Sequence, residues 1–306
     1  MSDEGPSRHI GVDLGATNIK WAVLEQAGEA WSVLDRGQVP THATDGADAV
    51  VGRMTELAER ARAEWPVIGS VGVGVPGLFD APTGVTTFLP NLTPDWTGRA
   101  VTGPMRERLG LPVALINDAR AFGLAELRLG AGRGCDTMVG LALGTGVGGV
   151  VVVDGRVHFG HDGTGGEAGH QTIVPDGPRC TCGNQGCLEA LTRADAVAAA
   201  CGTDTVGQAV RAAEAGDAGA REGLVQMGRW LGIGISNLIV VLNPDRVVLG
   251  GGVAAAGELL LEPIRAEVRR RVHVTSLDAV EIVIGELGTW AGAIGAGVNG
   301  AEAAAR

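Results

Sequence analysis

The segment that constrains this chain most is residues 166–189, GEAGHQTIVPDGPRCTCGNQGCLE, because it holds four soft metal ligands in one Gly-rich loop. The ligands are spaced as H-x9-C-x-C-x4-C, and three cysteines with one histidine are enough to complete a tetrahedral zinc site. No coordination position is then left for water, so the pattern predicts a structural zinc ion that holds the loop in place. The predicted ligands are His170, Cys180, Cys182 and Cys187.

Two other uses of these cysteines compete with zinc. Disulfide bonding is less favoured, because the chain has five cysteines, an odd number, and its first ten residues lack the apolar core of a secretory signal peptide. Buried free thiols are the second alternative. If zinc does hold the loop, the carboxylates at its two ends, Glu167 and Glu189, are the neighbouring groups that are free to do chemistry.

Length and charge narrow the class of protein. A chain of 306 residues exceeds the size at which one core usually stops growing, which predicts two domains. The net charge of -11 disfavours nucleic acids and anionic membranes as partners, since both are bound by basic surfaces. No uninterrupted apolar run reaches the roughly 18 residues of a membrane span. We therefore expect a soluble, cytoplasmic protein.

Short apolar runs alternate with amphipathic stretches along the chain, which predicts an α/β fold. The order of apolar strand, glycine turn and second strand occurs twice, once around residues 13–18, DLGATN, and once around residues 143–149, LGTGVGG. This weak internal repeat indicates two halves of similar construction. A third glycine cluster, Gly250–Gly252, stands before a predicted helix at about 254–271.

The glycine turns match two nucleotide-binding motifs only superficially. Residues 144–149 satisfy G-x-G-x-x-G, but a dinucleotide site requires a helix next and VVVVDG is a strand pattern. A Walker A loop needs Gly-Lys-Ser/Thr, whereas the sole lysine, Lys20, lies between Ile19 and Trp21. The turns are either ordinary or a matched pair whose backbone N–H groups and threonine hydroxyls cradle phosphates. Their matched positions favour a nucleotide.

Asp118 is the strongest candidate for catalysis. It ends the apolar run LPVALIN, and open α/β sheets place their ligand sites at the carboxyl ends of strands. The alternative is that Asp118 caps the helix that begins there, because aspartate is a favoured N-cap residue. The sequence leaves both roles open.

Several short motifs occur together, in one order, along nearly the whole chain: DLGATNIK, PNLTPDW, IND, LGTGVGG, GEAGH, CTCGNQGCLE and VVLGGG. Together they resemble the ROK family of bacterial sugar kinases, close to its glucokinase members. The resemblance implies a duplicated, two-lobed α/β fold similar to actin and hexokinase (ribonuclease H-like), with mixed sheets and the active site in the cleft. The implied lobes are 1–118, completed by a C-terminal helix at 289–304, and 119–288 with the zinc insertion at 166–189.

The resemblance also implies a division of labour. ATP with Mg²⁺ is the expected phosphoryl donor, and Asp118 is the expected general base toward the 6-hydroxyl group of a hexose such as glucose. The residues expected to contact the sugar are Asn91, Asn117, Asp118, Glu167, His170 and Glu189. Those expected around the phosphates, their metal ion and the adenosine are Asp13, Gly15, Thr17, Asn18, Lys20, Gly144, Thr145, Gly146, Gly250, Gly251 and Gly252.

The chain departs from the family pattern at three positions. Ala16 replaces the second glycine of the usual DxGGT, so its methyl group restricts the turn or crowds a phosphate. Arg120 and Phe122 follow Asn117-Asp118, where small polar residues are common in the family. These differences keep two alternatives open: a kinase of an amino sugar or a sugar-like cyclitol from secondary metabolism, and a catalytically weak sugar-binding or regulatory protein.

Other assignments follow from the same resemblance. The family's repressors carry a helix-turn-helix segment ahead of the core, whereas the first core strand here starts at about Ile10, which disfavours a DNA-binding role. ATP is favoured over polyphosphate as donor, because an acidic chain offers little basic groove for a long polyanion. The resemblance implies a homodimer or homotetramer that binds a sugar and ATP.

Overall fold

The structure, a computed structural model, describes residues 6–89 and 92–306. The chain forms two compact units: the first runs to Gly130 and is completed by Thr289–Arg306, and the second is Ala131–Gly288. The helix Asp118–Leu129 packs against the C-terminal helix and therefore belongs to the first unit. The division thus falls after Gly130, twelve residues beyond the boundary predicted at residue 118.

Strands and helices alternate through both units. The strands are β1 Ser7–Leu14, β2 Asn18–Ala27, β3 Ala30–Pro40, β4 Ile68–Val75, β5 Leu78–Asp80, β6 Val85–Phe88, β7 Val113–Asn117, β8 Met138–Leu143, β9 Val147–Val153, β10 Arg156–Val157, β11 Arg246–Gly250 and β12 Glu281–Ile284. The helices are α1 Ala47–Glu64, α2 Thr102–Leu109, α3 Asp118–Leu129, α4 Leu188–Thr192, α5 Ala194–Ala200, α6 Val206–Glu214, α7 Ala218–Leu242, α8 Glu258–Arg271 and α9 Ala291–Ala304.

The first unit is built on a five-stranded sheet in the order β3-β2-β1-β4-β7. Strands β1, β2 and β3 are antiparallel neighbours, whereas β1, β4 and β7 run parallel. Their carboxyl ends therefore meet at one edge of the sheet, where Asp13 lies beside Gly74 and Val75 lies beside Asn117 in the register. This edge brings the Asp13 and Asp118 positions into one region of the first unit.

Helix α9 lies directly on β1 and β4 of this sheet, because glycines allow the two backbones to touch. A Cβ atom added at Gly11 would collide with the carbonyl oxygen of Ala293, and one added at Gly72 would collide with that of Ala296. Any larger residue at these strand positions would force the helix away from the sheet. The last helix of the chain is thus a fixed part of the first unit.

The second unit repeats the same sheet, in the order β10-β9-β8-β11-β12. Again three antiparallel strands are followed by two parallel ones, and again a short glycine turn joins the first two strands. The strand orders correspond one to one, so the predicted duplicated α/β fold with mixed sheets is confirmed. The second unit differs by the loop and short helices between β10 and α7.

Helix α7 is the one helix in the described parts of the chain that is long and apolar enough to cross a membrane, judged by length and composition alone. Half of its apolar stretch is buried inside the protein, and it packs against α8. Asp217 caps its start and Asn243, in the left-handed conformation, ends it before Pro244. These are the properties of a core helix.

Candidate functional site

The four predicted zinc ligands lie together in the second unit. Their ligating atoms are all within 4.8 Å of one another, with 3.7 Å between the Sγ atoms of Cys182 and Cys187 and 3.6 Å between Cys180 Sγ and His170 Nδ1. Tetrahedral bonds of ~2.3 Å to sulfur and ~2.05 Å to nitrogen give separations of roughly 3.8 and 3.6 Å for these two pairs, close to the observed distances. The donor set therefore fits a zinc ion, and none of the five cysteines, all of them in the described ranges, forms a disulfide.

Glycines and short backbone bridges give the zinc loop its shape. The amide of Cys180 donates to the carbonyl of Asn184, which closes a turn around Gly183, a residue with a φ of 93°. Gly186 also has a positive φ, and a Cβ atom there would collide with the carbonyl oxygen of Val174. The loop can fold this tightly because glycine occupies both positions.

Glu189 connects the zinc loop to the glycine turn of the second sheet. Its Oε2 atom accepts a hydrogen bond from the backbone N–H of Val147 at 2.9 Å, and its Oε1 atom lies 3.5 Å from Cys180 Sγ. A Cβ atom added at Gly146 would lie 2.6 Å from that Oε2 atom, so glycine is needed for this approach. The carboxylate is thus oriented from both sides.

Glu167, the other predicted acid of the loop, is exposed just before the 3-10 turn Ala168–His170.

The second predicted phosphate turn is open and lies next to the third glycine cluster. The amide of Gly144 donates to the carbonyl of Gly146, and Thr145 at the tip is exposed. Gly251 has a φ of 84°, and a Cβ atom there would collide with the carbonyl oxygen of Leu143. Residues 250–252 therefore adjoin the turn at 144–146.

The helix expected directly after the third glycine cluster is interrupted. A 3-10 turn at Gly252–Ala256 comes first, and α8 begins only at Glu258. Gly257, with a φ of 57°, separates them. The sequence pattern indicated one helix from about residue 254, which is wrong because the positive φ of Gly257 breaks the helix there.

In the first unit, the edge formed by β1 and β7 carries two acidic side chains whose charges interact. Burial, and after it the negative charge of Asp118, raise the pKa of Asp13 to about 7 against the opposing effect of Lys20. The carboxylate of Asp13 lies in a narrow space between Gly292 and Gly74, which is its seat in the first unit. Cβ atoms added at these two glycines would lie 2.5 and 3.3 Å from its oxygens. This edge has an excess of negative charge.

Asn117, rather than Asp118, is the N-cap of α3. The Oδ1 atom of Asn117 accepts from the backbone N–H groups of Ala119 and Arg120 at 3.0 and 3.3 Å, and its amide group donates to the carbonyl of Gly77. Asp118 is the first helical residue, with its Oδ1 atom 2.8 Å from the N–H of Ala119. Because Asn117 supplies the cap, α3 does not depend on Asp118 for one, which keeps its carboxylate a candidate for chemistry.

The first predicted phosphate turn is fixed at its base by hydrogen bonds and exposed at its tip. Thr41 anchors it, because its Oγ1 atom donates to the carbonyl of Gly15 and its N–H donates to that of Thr17. The side chains of Ala16 and Thr17 are exposed, and Asn18, also assigned to this group, is the first residue of β2. The Nζ atom of Lys20 donates to the carbonyl of Thr289 at 3.0 Å.

Three residues near these positions were not predicted from sequence. The first turn is contacted by Thr41, Lys20 by Thr289, and Asp13 by Gly292. Each of these partners is distant along the chain from the group that it contacts. The small-residue pattern of α9 was a usable signal for Gly292, because regularly spaced glycines mark close backbone approach. Of the predicted sugar contacts, Asn91 lies outside the described residues.

Comparison with known proteins places the fold and then the family. The chain superposes with a TM-score of 0.83 on a ROK hexokinase from Thermus thermophilus, at 36% identity over 97% of this chain and 98% of the other. It superposes with a TM-score of 0.80 on a ROK family glucokinase from Streptomyces griseus solved with glucose and AMPPNP, at 30% identity over 97% and 100% of the two chains. The duplicated sheets are thus those of the actin-like and hexokinase-like fold.

The family follows from the sequence match. Residues 9–298 match the ROK family, and a glucokinase from Thermotoga maritima is 35% identical over 94% of this chain and 95% of its own. This chain therefore belongs to the ROK family, as the motifs predicted. Regulators are among its relatives as well: the xylose repressor of Bacillus subtilis is 29% identical over 78% of this chain, which covers 62% of that repressor.

Proposed function

We propose that this chain is an ATP-dependent sugar kinase that transfers the γ-phosphoryl group to the 6-hydroxyl group of a hexose such as glucose. The observation that carries the proposal is Asp118, whose carboxylate stands at the carboxyl end of β7 close enough to Asp13 to raise its pKa, while Asn117 caps the helix. A carboxylate in that position is able to accept the proton of an acceptor hydroxyl group. The kinases among the relatives support the same reaction.

Donor binding is assigned to the glycine turns. Phosphoryl transfer requires mainly positioning and charge neutralisation, which backbone N–H groups and threonine hydroxyls at an exposed turn can supply. The exposed tips at Thr17 and Thr145 suit this role, and Gly250–Gly252 adjoin the second turn. When bound with ATP, Mg²⁺ would offset the excess negative charge at Asp13 and Asp118, so the residues present fit a divalent cation.

Acceptor binding is assigned to the zinc loop and, by family resemblance, to Asn117. We infer that Glu189, His170 and Glu167 contact the sugar hydroxyls, because carboxylates and imidazole are hydrogen-bonding groups and Glu189 is already held in one orientation. Zinc would act through these side chains: it holds the loop that carries them and takes no part in the transfer. Asn91 is assigned to the acceptor by family resemblance alone.

Two features bear on the choice of acceptor. Arg120 and Phe122, which differ from the family pattern, are 3% and 7% exposed, so their burial in α3 favours a packing role over contact with the sugar. This favours an ordinary hexose over an amino sugar or a cyclitol.

We further propose a cytoplasmic homodimer or homotetramer, in keeping with an ATP-consuming enzyme of this family.

The direct test is ATP turnover by the purified protein over a panel of glucose, other hexoses, amino sugars and cyclitols, with Asp118→Asn as the matched inactive control. We expect sugar-dependent ADP release that is fastest with a hexose, and little release with polyphosphate in place of ATP. Sugar binding by calorimetry without any turnover would favour a regulatory protein instead. DNA binding in a gel-shift assay would point to the repressors among the relatives.

A further inference from the structure

Lys20 is the only lysine in the chain, and its ammonium group forms a hydrogen bond within the first unit. Its Nζ atom donates to the backbone carbonyl of Thr289 at 3.0 Å. Thr289 belongs to the 3-10 turn Gly288–Trp290, which leads directly into α9. Lys20 therefore ties β2 to the start of the C-terminal helix, across 269 residues of sequence.

The start of α9 is also where the carboxylate of Asp13 is seated. Asp13 and Lys20 are register partners on the antiparallel strands β1 and β2, so both side chains leave the sheet at the same level. Gly292, in the first turn of α9, approaches so closely that a Cβ atom there would lie 2.5 Å from Asp13 Oδ2. The position of this first turn thus decides where the carboxylate can lie.

We propose that Lys20 is a positioning residue: it fixes the start of α9 on β2 and thereby keeps the Asp13 carboxylate in its seat against Gly292, and it does not bind the donor phosphates. This proposal replaces the phosphate role expected for Lys20 from family resemblance, and its kinetic test rests on the proposed kinase function. The positive charge of Lys20 also opposes the burial that raises the pKa of Asp13.

A neighbouring cation provides a matched control. The guanidinium group of Arg36 on β3 lies 5.0 Å from the centre of the Trp290 ring, so Arg36 holds the residue next to Thr289. Replacing Arg36 would loosen the same 3-10 turn, while the bond from Lys20 to Thr289 and the charge opposite Asp13 would remain. A comparison of the two positions separates positioning of Asp13 from general loosening.

The kinetic experiment compares Lys20→Met, Lys20→Arg and Arg36→Met with the unaltered protein. We expect Lys20→Met to lower kcat about 10-fold or more while the Kd of Mg²⁺-AMPPNP changes less than about 3-fold. Lys20→Arg should restore most of kcat, since it keeps a charged donor, and Arg36→Met should stay within about 3-fold. A 10-fold weaker Kd in Lys20→Met would overturn the proposal, as would unchanged kcat or an equal loss in Arg36→Met.

A second measurement needs neither a variant nor turnover. Because the chain has one lysine, acetylation by acetic anhydride followed by mass spectrometry reports on Lys20 alone, with the N-terminal amine as reference. We expect Mg²⁺-AMPPNP to leave the labelling rate within about 2-fold, and 5-fold protection would show that Lys20 contacts the donor. Absence of sugar-dependent turnover in the unaltered protein would refute the proposed function, whereas the labelling result would still decide the role of Lys20.

Discussion

The two units have the same sheet but place their chemical groups differently. In the first hairpin, the second register pair from the turn is Asp13 with Lys20, whereas the corresponding pair in the second hairpin is Ala142 with Gly148. The first unit carries its candidate site residues at strand ends, and the second carries them on an inserted loop with four candidate metal ligands. Substitutions in the first unit should therefore change the rate, and substitutions in the second should change stability and acceptor affinity.

The largest effect should come from Asp118→Asn. Loss of a general base typically lowers a rate ~10²- to 10⁴-fold, so we expect kcat to fall by that factor. The KM for sugar should change little, because the amide keeps the size and most hydrogen bonds of the carboxylate. Steady-state kinetics with glucose checks this, and an unchanged kcat would remove Asp118 from the mechanism.

The second-largest effect should come from loss of a zinc ligand in the second unit. Cys182→Ser should remove the bound zinc, lower the Tm by about 5 °C or more, and raise the KM for sugar, because the loop that carries Glu189 loses its ligand shell. Metal analysis by mass spectrometry, thermal unfolding and kinetics on one preparation test all three. Cys201→Ala is the control, since this buried thiol lies outside the cluster and its loss should leave the zinc content unchanged.

A smaller effect should appear in the pH dependence of stability of the first unit. The raised pKa of Asp13 means that the folded protein keeps a proton which the unfolded chain releases near its ordinary value of 3.8. Stability is therefore lost as the pH rises from about 4 to about 7, and Asp13→Asn should remove that loss.

The expected gain for Asp13→Asn is of order 1–3 kcal/mol in the free energy of unfolding at pH 8, and close to zero at pH 4. Urea unfolding at both pH values, without added Mg²⁺, measures it. Glu29→Gln, an exposed acid in the same unit, serves as the control. A gain of equal size at pH 4 would show that the effect is unrelated to the proton on Asp13.

The smallest effect should be that of Ala16→Gly, which restores the usual family residue in the first turn. Ala16 is exposed and is not among the residues with a positive φ, so its methyl group fits the turn without strain. We expect the KM for ATP to change less than about 3-fold and the stability to fall by no more than ~1 kcal/mol. A larger gain in ATP affinity would mean that the methyl group crowds the phosphate.

Local patterns predicted most of the fold and the ligand cluster of the candidate zinc site. Alternating strands and helices, the two matched glycine turns and the ligand spacing from His170 to Cys187 all depend on residues close in sequence, which is why they could be read directly. The surroundings of the Asp13 carboxylate could not be predicted, because they are formed by Gly292, which is far along the chain. A glycine indicates a close contact only when the group that approaches it is known. Asn117 and Asp118 were ambiguous as caps for a different reason, since both residue types suit an N-cap and only the hydrogen bonds distinguish them.

The place of α9 in the first unit has a consequence for how the protein is made. Residues 131–288 are continuous and can fold as soon as they leave the ribosome, whereas the first sheet lacks its covering helix until residues 291–304 are translated. Until then the glycine-lined face of β1 and β4 stays uncovered, although those strands are synthesised first. A nascent chain of this protein is therefore expected to complete its later unit before its earlier one, and a truncation that removes residues 291–304 would leave the earlier one unfinished.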